Sequence, residues 1–153
     1  MEAAAAVNCR GLGSRVSGLG WKMKNTTYQK LDVWQQAITL VEEVYKLTTL
    51  FPESEKYGLK SQMQRCAVSV PANIAEGYGR THRGDYLRHL SIARGSLMEL
   101  ETHLTLSARL KLVDRKQVLE SWRKAQLVGK MLTRLIASLS TPDPRPKTPD
   151  PKS

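Results

Sequence analysis

Hydrophobic side chains recur three or four residues apart in four successive segments, the spacing typical of amphipathic α-helices. The first predicted helix begins at Tyr28 and runs for about 20 residues. It ends at Phe51-Pro52, because a residue before proline disfavours helical dihedral angles. The other three predicted helices span Ser54 to Tyr78, Thr81 or His82 to Lys111, and Asp114 to Leu139. Asp114 and Gln117 have the spacing of a capping box at the start of the fourth helix.

Each predicted helix carries a row of residues that we expect to face a common core. In the first helix the row is Leu31, Trp34, Ile38, Val41 and Tyr45, widened by Ala37, Leu40, Val44 and Leu47. In the second it is Met63, Cys66, Val70 and Ile74. The third and fourth helices contribute Tyr86, Leu90, Ala93, Leu97, Leu100, Leu104, Val118, Trp122, Ala125, Leu132, Leu135 and Leu139.

These patterns predict an all-α protein, an antiparallel up-down-up-down four-helix bundle over residues 28–139. Residues 1–27 contain four glycines and no periodicity, so we expect a disordered N-terminal extension. Residues 140–153 are rich in proline without hydrophobic residues to anchor them, and we expect a disordered tail. Two isolated cysteines and the lack of a visible export signal indicate a cytoplasmic protein.

The chain is strongly basic, with a formal net charge of +10. Residues 28–139 hold 17 Lys and Arg against 11 Asp and Glu, so +6 belongs to the predicted bundle. A basic surface favours a polyanionic partner, although a run of charges is usually just a solvated helix face. Seven cations are expected to contact the phosphates of a nucleic acid, with RNA as the expected partner. They are Arg80, Arg83 and Arg88 around the start of the third helix and Lys116, Arg123, Lys130 and Arg134 on the fourth.

Signals for an enzyme are weak. A di-metal bundle would need Glu-x-x-His pairs, and no Glu here has a His three residues later. His89, Glu99 and His103 share a helix, but nothing else in the sequence supports a metal-dependent site. Neither a phosphate-binding loop nor a nucleophile elbow occurs. We therefore expect no catalytic residue, no metal and no cofactor.

The segment Gln62 to Arg80 combines a helical pattern with Pro71, Asn73, Glu76 and Gly77. Proline inside a helix removes a backbone donor and costs about 3 kcal/mol unless a kink is tolerated. Without a nucleophile or metal to serve, these residues are interpreted as determinants of how the second helix bends and meets its neighbours.

Four motifs resemble one family: LDVWQQA (31–37), FPESEKYGL (51–59), QRCAVSVPANIAEGYGR (64–80) and IARGSLMELETHL (92–104). They look like proteins encoded in 23S rRNA intervening sequences, a group similar to the accessory variability determinants of diversity-generating retroelements. The resemblance covers about residues 28–139 and implies a homopentameric ring of basic four-helix bundles without known catalysis. In the retroelement branch it also implies a reverse transcriptase as partner.

The resemblance further implies recurrent polar and small positions, interpreted as a polar network and helix contacts. Those positions are Trp34, Tyr57, Arg65, Pro71, Asn73, Glu76, Gly77, Arg94, Glu99 and Glu101. The chain departs from the family pattern at His82, His89 and His103, the last of which is usually Gln, which weakens any inherited role for these histidines.

Two functional hypotheses remain open at this point. The first is a non-enzymatic, oligomeric scaffold that binds structured RNA or an RNA/DNA hybrid. The second is a structural or protein-interaction module whose charge serves solubility and docking to acidic proteins.

Overall fold

The computed structural model describes residues 27–141, and four α-helices occupy most of that range. They are α1 (Asp32–Thr48), α2 (Leu59–Tyr78), α3 (Arg83–Arg109) and α4 (Arg115–Ser140). One-turn 3-10 helices lie at Thr27–Lys30 and Glu53–Glu55. The described residues contain no strand, which confirms the all-helical prediction. The predicted extension and tail lie outside the described residues, apart from residues 27, 140 and 141.

Each helix packs against two others, in the cyclic order α1, α2, α3, α4 and back to α1. Connections are short, so consecutive helices run in opposite directions, as in an up-down-up-down bundle. No helix among the described residues is both long and apolar enough to cross a membrane.

The predicted starts of the first two helices were wrong. The turn Thr27–Lys30 precedes α1, which begins at Asp32 rather than Tyr28. Similarly, α2 begins at Leu59 rather than near Ser54, because Gly58 adopts a non-helical conformation there. The Glu55 side chain accepts the free backbone N–H of Leu59 (3.0 Å), which satisfies an amide that has no partner within the helix.

The remaining boundaries agree with the prediction. His82 precedes α3 as its N-cap, although its side chain makes no capping hydrogen bond. The capping box is present at α4, where the Asp114 backbone N–H donates to Gln117 Oε1 (2.7 Å).

The core of α1 is not the row that was predicted to lie at its centre. Ala37, Leu40 and Val44 are fully buried, whereas Tyr45 is 46% exposed and Trp34 only half-buried. Both rows have helical spacing, so periodicity alone could not show which of them faces the core. The small and aliphatic row faces the bundle axis, and the aromatic residues lie at its edge, where Trp34 makes an edge-to-face contact with Tyr28.

In α2 and α3 the predicted rows are buried, except that Tyr86 is only half-buried. In α4 the inward row is rotated from the prediction. Ser121 and Val128 are buried there, while Trp122, Leu135 and Leu139 are half-buried. The serine hydroxyl is small enough to be accommodated at a close helix contact, which hydropathy alone does not indicate.

Candidate nucleic-acid interface

Four basic side chains lie along the outer face of α4. Lys116, Arg123, Lys130 and Arg134 are all exposed and fall within about 40° of one another around the helix axis. At 1.5 Å per residue they span about 27 Å. One of them is already paired, since Arg123 contacts Glu120 at 3.0 Å. This leaves three cations without an ion pair among the described residues.

The three arginines around the start of α3 do not form one surface. Arg80, just past the end of α2, is paired with Glu76 of that helix, and Arg83 donates to the backbone carbonyl of Thr141 at the end of α4. Arg88 is exposed but lies about 140° around α3 from Arg83. The seven cations predicted to bind phosphate are therefore divided between separate faces.

A groove between α3 and α4 is lined by three basic side chains. This α3–α4 groove has a volume of about 410 Å³. It is lined by Arg94, Leu97, Met98, Glu101, Gln126, Gly129, Lys130, Thr133 and Arg134. Arg94, Lys130 and Arg134 are exposed and have no ion-pair partner within the described part of the chain. From the sequence, Arg94 was interpreted as part of a polar network, and its position beside the α4 cations was not predicted.

The carboxylate in the α3–α4 groove is held away from the cations. Glu101 accepts a hydrogen bond from Gln126 Nε2 (3.0 Å), and burial raises the pKa of its carboxyl group. Since Glu101 forms no ion pair with the groove's cations, their charge is left for an external anion.

A second groove lies at the other end of the same helix pair. It has a volume of about 620 Å³ and is mostly apolar, with Arg109 and Arg115 at its edge. Its other lining residues are Leu104, Thr105, Ala108, Val118, Leu119 and Trp122. The sequence prediction missed both arginines because they lie on opposite sides of the α3–α4 connection and show no periodic relation.

Polar side chains cross the α2–α3 interface as a connected set. Ser69 and Ser96 hydroxyls lie 2.9 Å apart, and Asn73 Nδ2 donates to the Ser69 carbonyl (2.9 Å). Asn73 Oδ1 is 3.3 Å from His89 Nδ1, and His89 Nε2 is 3.8 Å from Glu76. We call these five residues the α2–α3 polar seam; its contacts connect the two helices.

The helices approach each other closely beside this seam. A Cβ atom on Gly77 would lie 2.7 Å from His89 Cβ and 2.9 Å from the Tyr86 ring. Pro71 is buried inside α2, and the helix continues through it. Arg65, by contrast, is exposed and donates to Gln62 within its own helix.

One cluster of potential metal ligands also lies between α2 and α3. Cys66, Glu99 and His103 bring their ligand atoms within 4.8 Å of one another. Burial raises the pKa of the Cys66 thiol to about 11. The metal hypothesis that was set aside on the sequence combined His89 with Glu99 and His103, but in the structure His89 belongs to the polar seam. Cys66 was missed because it comes from a different helix.

Comparison with known proteins identifies the family to which the chain belongs. Residues 29–134 match the model of the family described as 23S rRNA-intervening sequence protein. A solved structure with the same fold is a protein of unknown function from the S23 ribosomal protein family of Bacteroides thetaiotaomicron. The two are 24% identical with a TM-score of 0.64, and the match covers 68% of this chain and 97% of the other. The comparison with curated proteins gave no match.

Proposed function

Because the chain belongs to the family of 23S rRNA-intervening sequence proteins, we propose that it is a non-enzymatic basic scaffold that binds structured RNA. The observation that carries the proposal is the α3–α4 groove, where Arg94, Lys130 and Arg134 converge without ion-pair partners among the described residues. Lys116 and Arg123 extend the positive charge along the outer face of α4.

The chemistry of the groove suits phosphates better than bases. Guanidinium groups bind phosphate oxygens through two parallel hydrogen bonds, and lysine adds a mobile point charge. None of the groove's lining residues is aromatic, so it offers no platform on which a splayed base could stack. We therefore expect recognition of the backbone and shape of a helix rather than of its sequence.

The proposal also includes self-association into the pentamer implied by the resemblance. Several hydrophobic side chains remain exposed on the isolated bundle, on more than one helix. They include Val68, Ile92, Leu119 and Leu127. An assembly would cover part of this apolar surface and would repeat the basic groove around a ring, which raises affinity through multivalency.

The oligomer is testable on its own. Light scattering at micromolar concentration should give a mass of about 86 kDa, five times the 17.2 kDa of one chain. The measurement should be repeated at high salt, where apolar contacts persist and nucleic acid dissociates. A monomer under both conditions would contradict self-association.

The RNA-binding prediction is tested with a base-paired RNA hairpin across a salt series. Wild-type affinity should fall steeply with salt, because binding releases counterions from the phosphates. The triple variant Arg94→Gln, Lys130→Gln, Arg134→Gln should bind more weakly at every salt concentration. Its logarithmic salt slope should be flatter by about three units, one for each phosphate contact removed.

The matched control neutralises a cation at the opposite end of the bundle. Lys56→Gln lies in the α1–α2 connection, and we expect it to leave the slope unchanged. If the folded wild-type protein did not bind the RNA hairpin even at low salt, the proposal would be refuted. Protein partners recovered after nuclease treatment, without any RNA affinity, would instead favour the protein-interaction module. Partnership with a reverse transcriptase stays a prediction of the resemblance.

A further inference from the structure

Three side chains with different donor atoms meet on the α2–α3 side of the bundle. Glu99 and His103 are four residues apart on α3 and therefore share one face of the helix. Cys66, buried on α2, lies opposite them, and the thiol sulfur, a ring nitrogen and a carboxylate oxygen are all within 4.8 Å of one another. All three residues lie within helices that pack against each other, so the arrangement is set by the bundle rather than by a loop.

His103 is the member of this cluster that the fold leaves unsatisfied. Both of its ring nitrogens are buried and neither has a hydrogen-bond partner within residues 27–141, although the side chain as a whole is 17% exposed. Nε2 lies 3.4 Å from Glu99 Oε1, but that contact does not form a hydrogen bond. Since buried polar groups in native proteins are nearly always paired, an orphaned imidazole beside two other ligands points to a missing partner.

We propose that Cys66, Glu99 and His103 bind a thiophilic divalent cation, for which Zn²⁺ is the best fit. Zinc accepts sulfur, imidazole nitrogen and carboxylate oxygen in one tetrahedral set. The thiolate and the carboxylate together balance its two positive charges, so the bound site is neutral and tolerates its partly buried position. Binding transfers the thiol proton to solvent, as at any cysteine-ligated zinc.

The fourth coordination position faces outward. The Glu99 side chain is about half exposed, whereas Cys66 is buried, so the cluster opens to solvent on the Glu99 side. A water molecule can complete the tetrahedron from there. Glu99 also lies about 140° around α3 from Arg94, so this site is separate from the α3–α4 groove and does not depend on RNA binding.

The experiment uses the reduced, full-length protein after removal of metal by chelation. One equivalent of Co²⁺ should produce the near-ultraviolet thiolate-to-cobalt charge-transfer band and the visible bands of a tetrahedral ion. Zn²⁺ should displace the cobalt and abolish both, while Mg²⁺, which prefers oxygen ligands, should not. Zinc should also raise the thermal midpoint, because it binds the folded chain.

Two ligand variants and two matched controls decide the assignment. Cys66→Ser should abolish the charge-transfer band, and His103→Gln should weaken zinc affinity by at least about 10–100-fold. Cys9→Ser and His82→Gln remove the same side-chain types elsewhere and should bind as wild type does. Circular dichroism establishes that each variant is folded.

Any one of four results would overturn the proposal. One is a folded wild type that shows no thiolate band at saturating Co²⁺. The second is a band that survives in folded Cys66→Ser, and the third is an unchanged zinc affinity in folded His103→Gln. The fourth is a band lost in Cys9→Ser, which would place the thiolate outside the cluster.

Discussion

Replacing Gly77 by alanine should destabilise the protein by about 1–3 kcal/mol, the usual cost of overpacking. In most exposed helical positions the same change is favourable, because alanine gains up to about 1 kcal/mol over glycine. At Gly77 the added methyl would lie 2.7 Å from His89 Cβ and 3.3 Å from the Tyr86 carbonyl oxygen. Neither atom is the end of a flexible side chain, so α2 and α3 must move apart. Urea denaturation should show a lower midpoint.

The matched control is Gly95→Ala in the middle of α3. A Cβ atom there meets nothing within 4 Å, so helix propensity should dominate. We expect a gain of about 0.5–1 kcal/mol in the free energy of unfolding. A Gly77→Ala variant as stable as Gly95→Ala would mean that the two helices are not in the close contact described.

Truncating Leu40 to alanine should cost about 2–5 kcal/mol, the range for a large aliphatic residue removed from a packed core. Leu40 is fully buried on the face of α1 that meets the bundle axis. The cost combines lost transfer free energy with the cavity that rigid neighbours leave behind. Thermal or urea unfolding, with circular dichroism at helical wavelengths, measures it directly.

Tyr45→Ala is the comparison that identifies the inward face of α1. Tyr45 is larger than Leu40 but 46% exposed, so its loss should cost about 1 kcal/mol or less. If Tyr45→Ala were the more damaging substitution, the row predicted from the sequence would be the true core row and the described rotation of α1 would be wrong.

Most of the fold was predictable because helices leave local signals. The four periodic segments, the Asp114–Gln117 capping box and the proline after Phe51 all lie within a few residues of the boundaries they determine. The rotation of a helix is not local. Leu40 and Tyr45 both fit a period of 3.6 residues, and only the volumes on α2 and α4 decide which of them faces inward.

The candidate sites were less predictable for the same reason. The exposure of the α4 cations was predictable, because they lie on the polar face of that helix. The position of Arg94 beside Lys130 was not, because it depends on how α3 and α4 are aligned against each other. Similarly, Glu99 and His103 are related by a spacing of four, whereas Cys66 joins them only through the packing of α2. A single sequence shows how residues of one helix are spaced, but it does not show which residues of two different helices come into contact.

The bond from Arg83 to the Thr141 carbonyl has a consequence for the electrostatics of the whole helix pair. The last carbonyls of α4 have no partner within the helix, and they carry the negative end of its macrodipole. The guanidinium group of Arg83 donates to the carbonyl of Thr141, the C-cap residue just past these carbonyls, and so places a positive charge beside that negative end. Arg83 would itself be unfavourable at the positive end of α3 if α4 did not terminate beside it. This arginine is therefore part of the mutual neutralisation of two antiparallel dipoles, which distinguishes it from the unpaired cations of the α3–α4 groove.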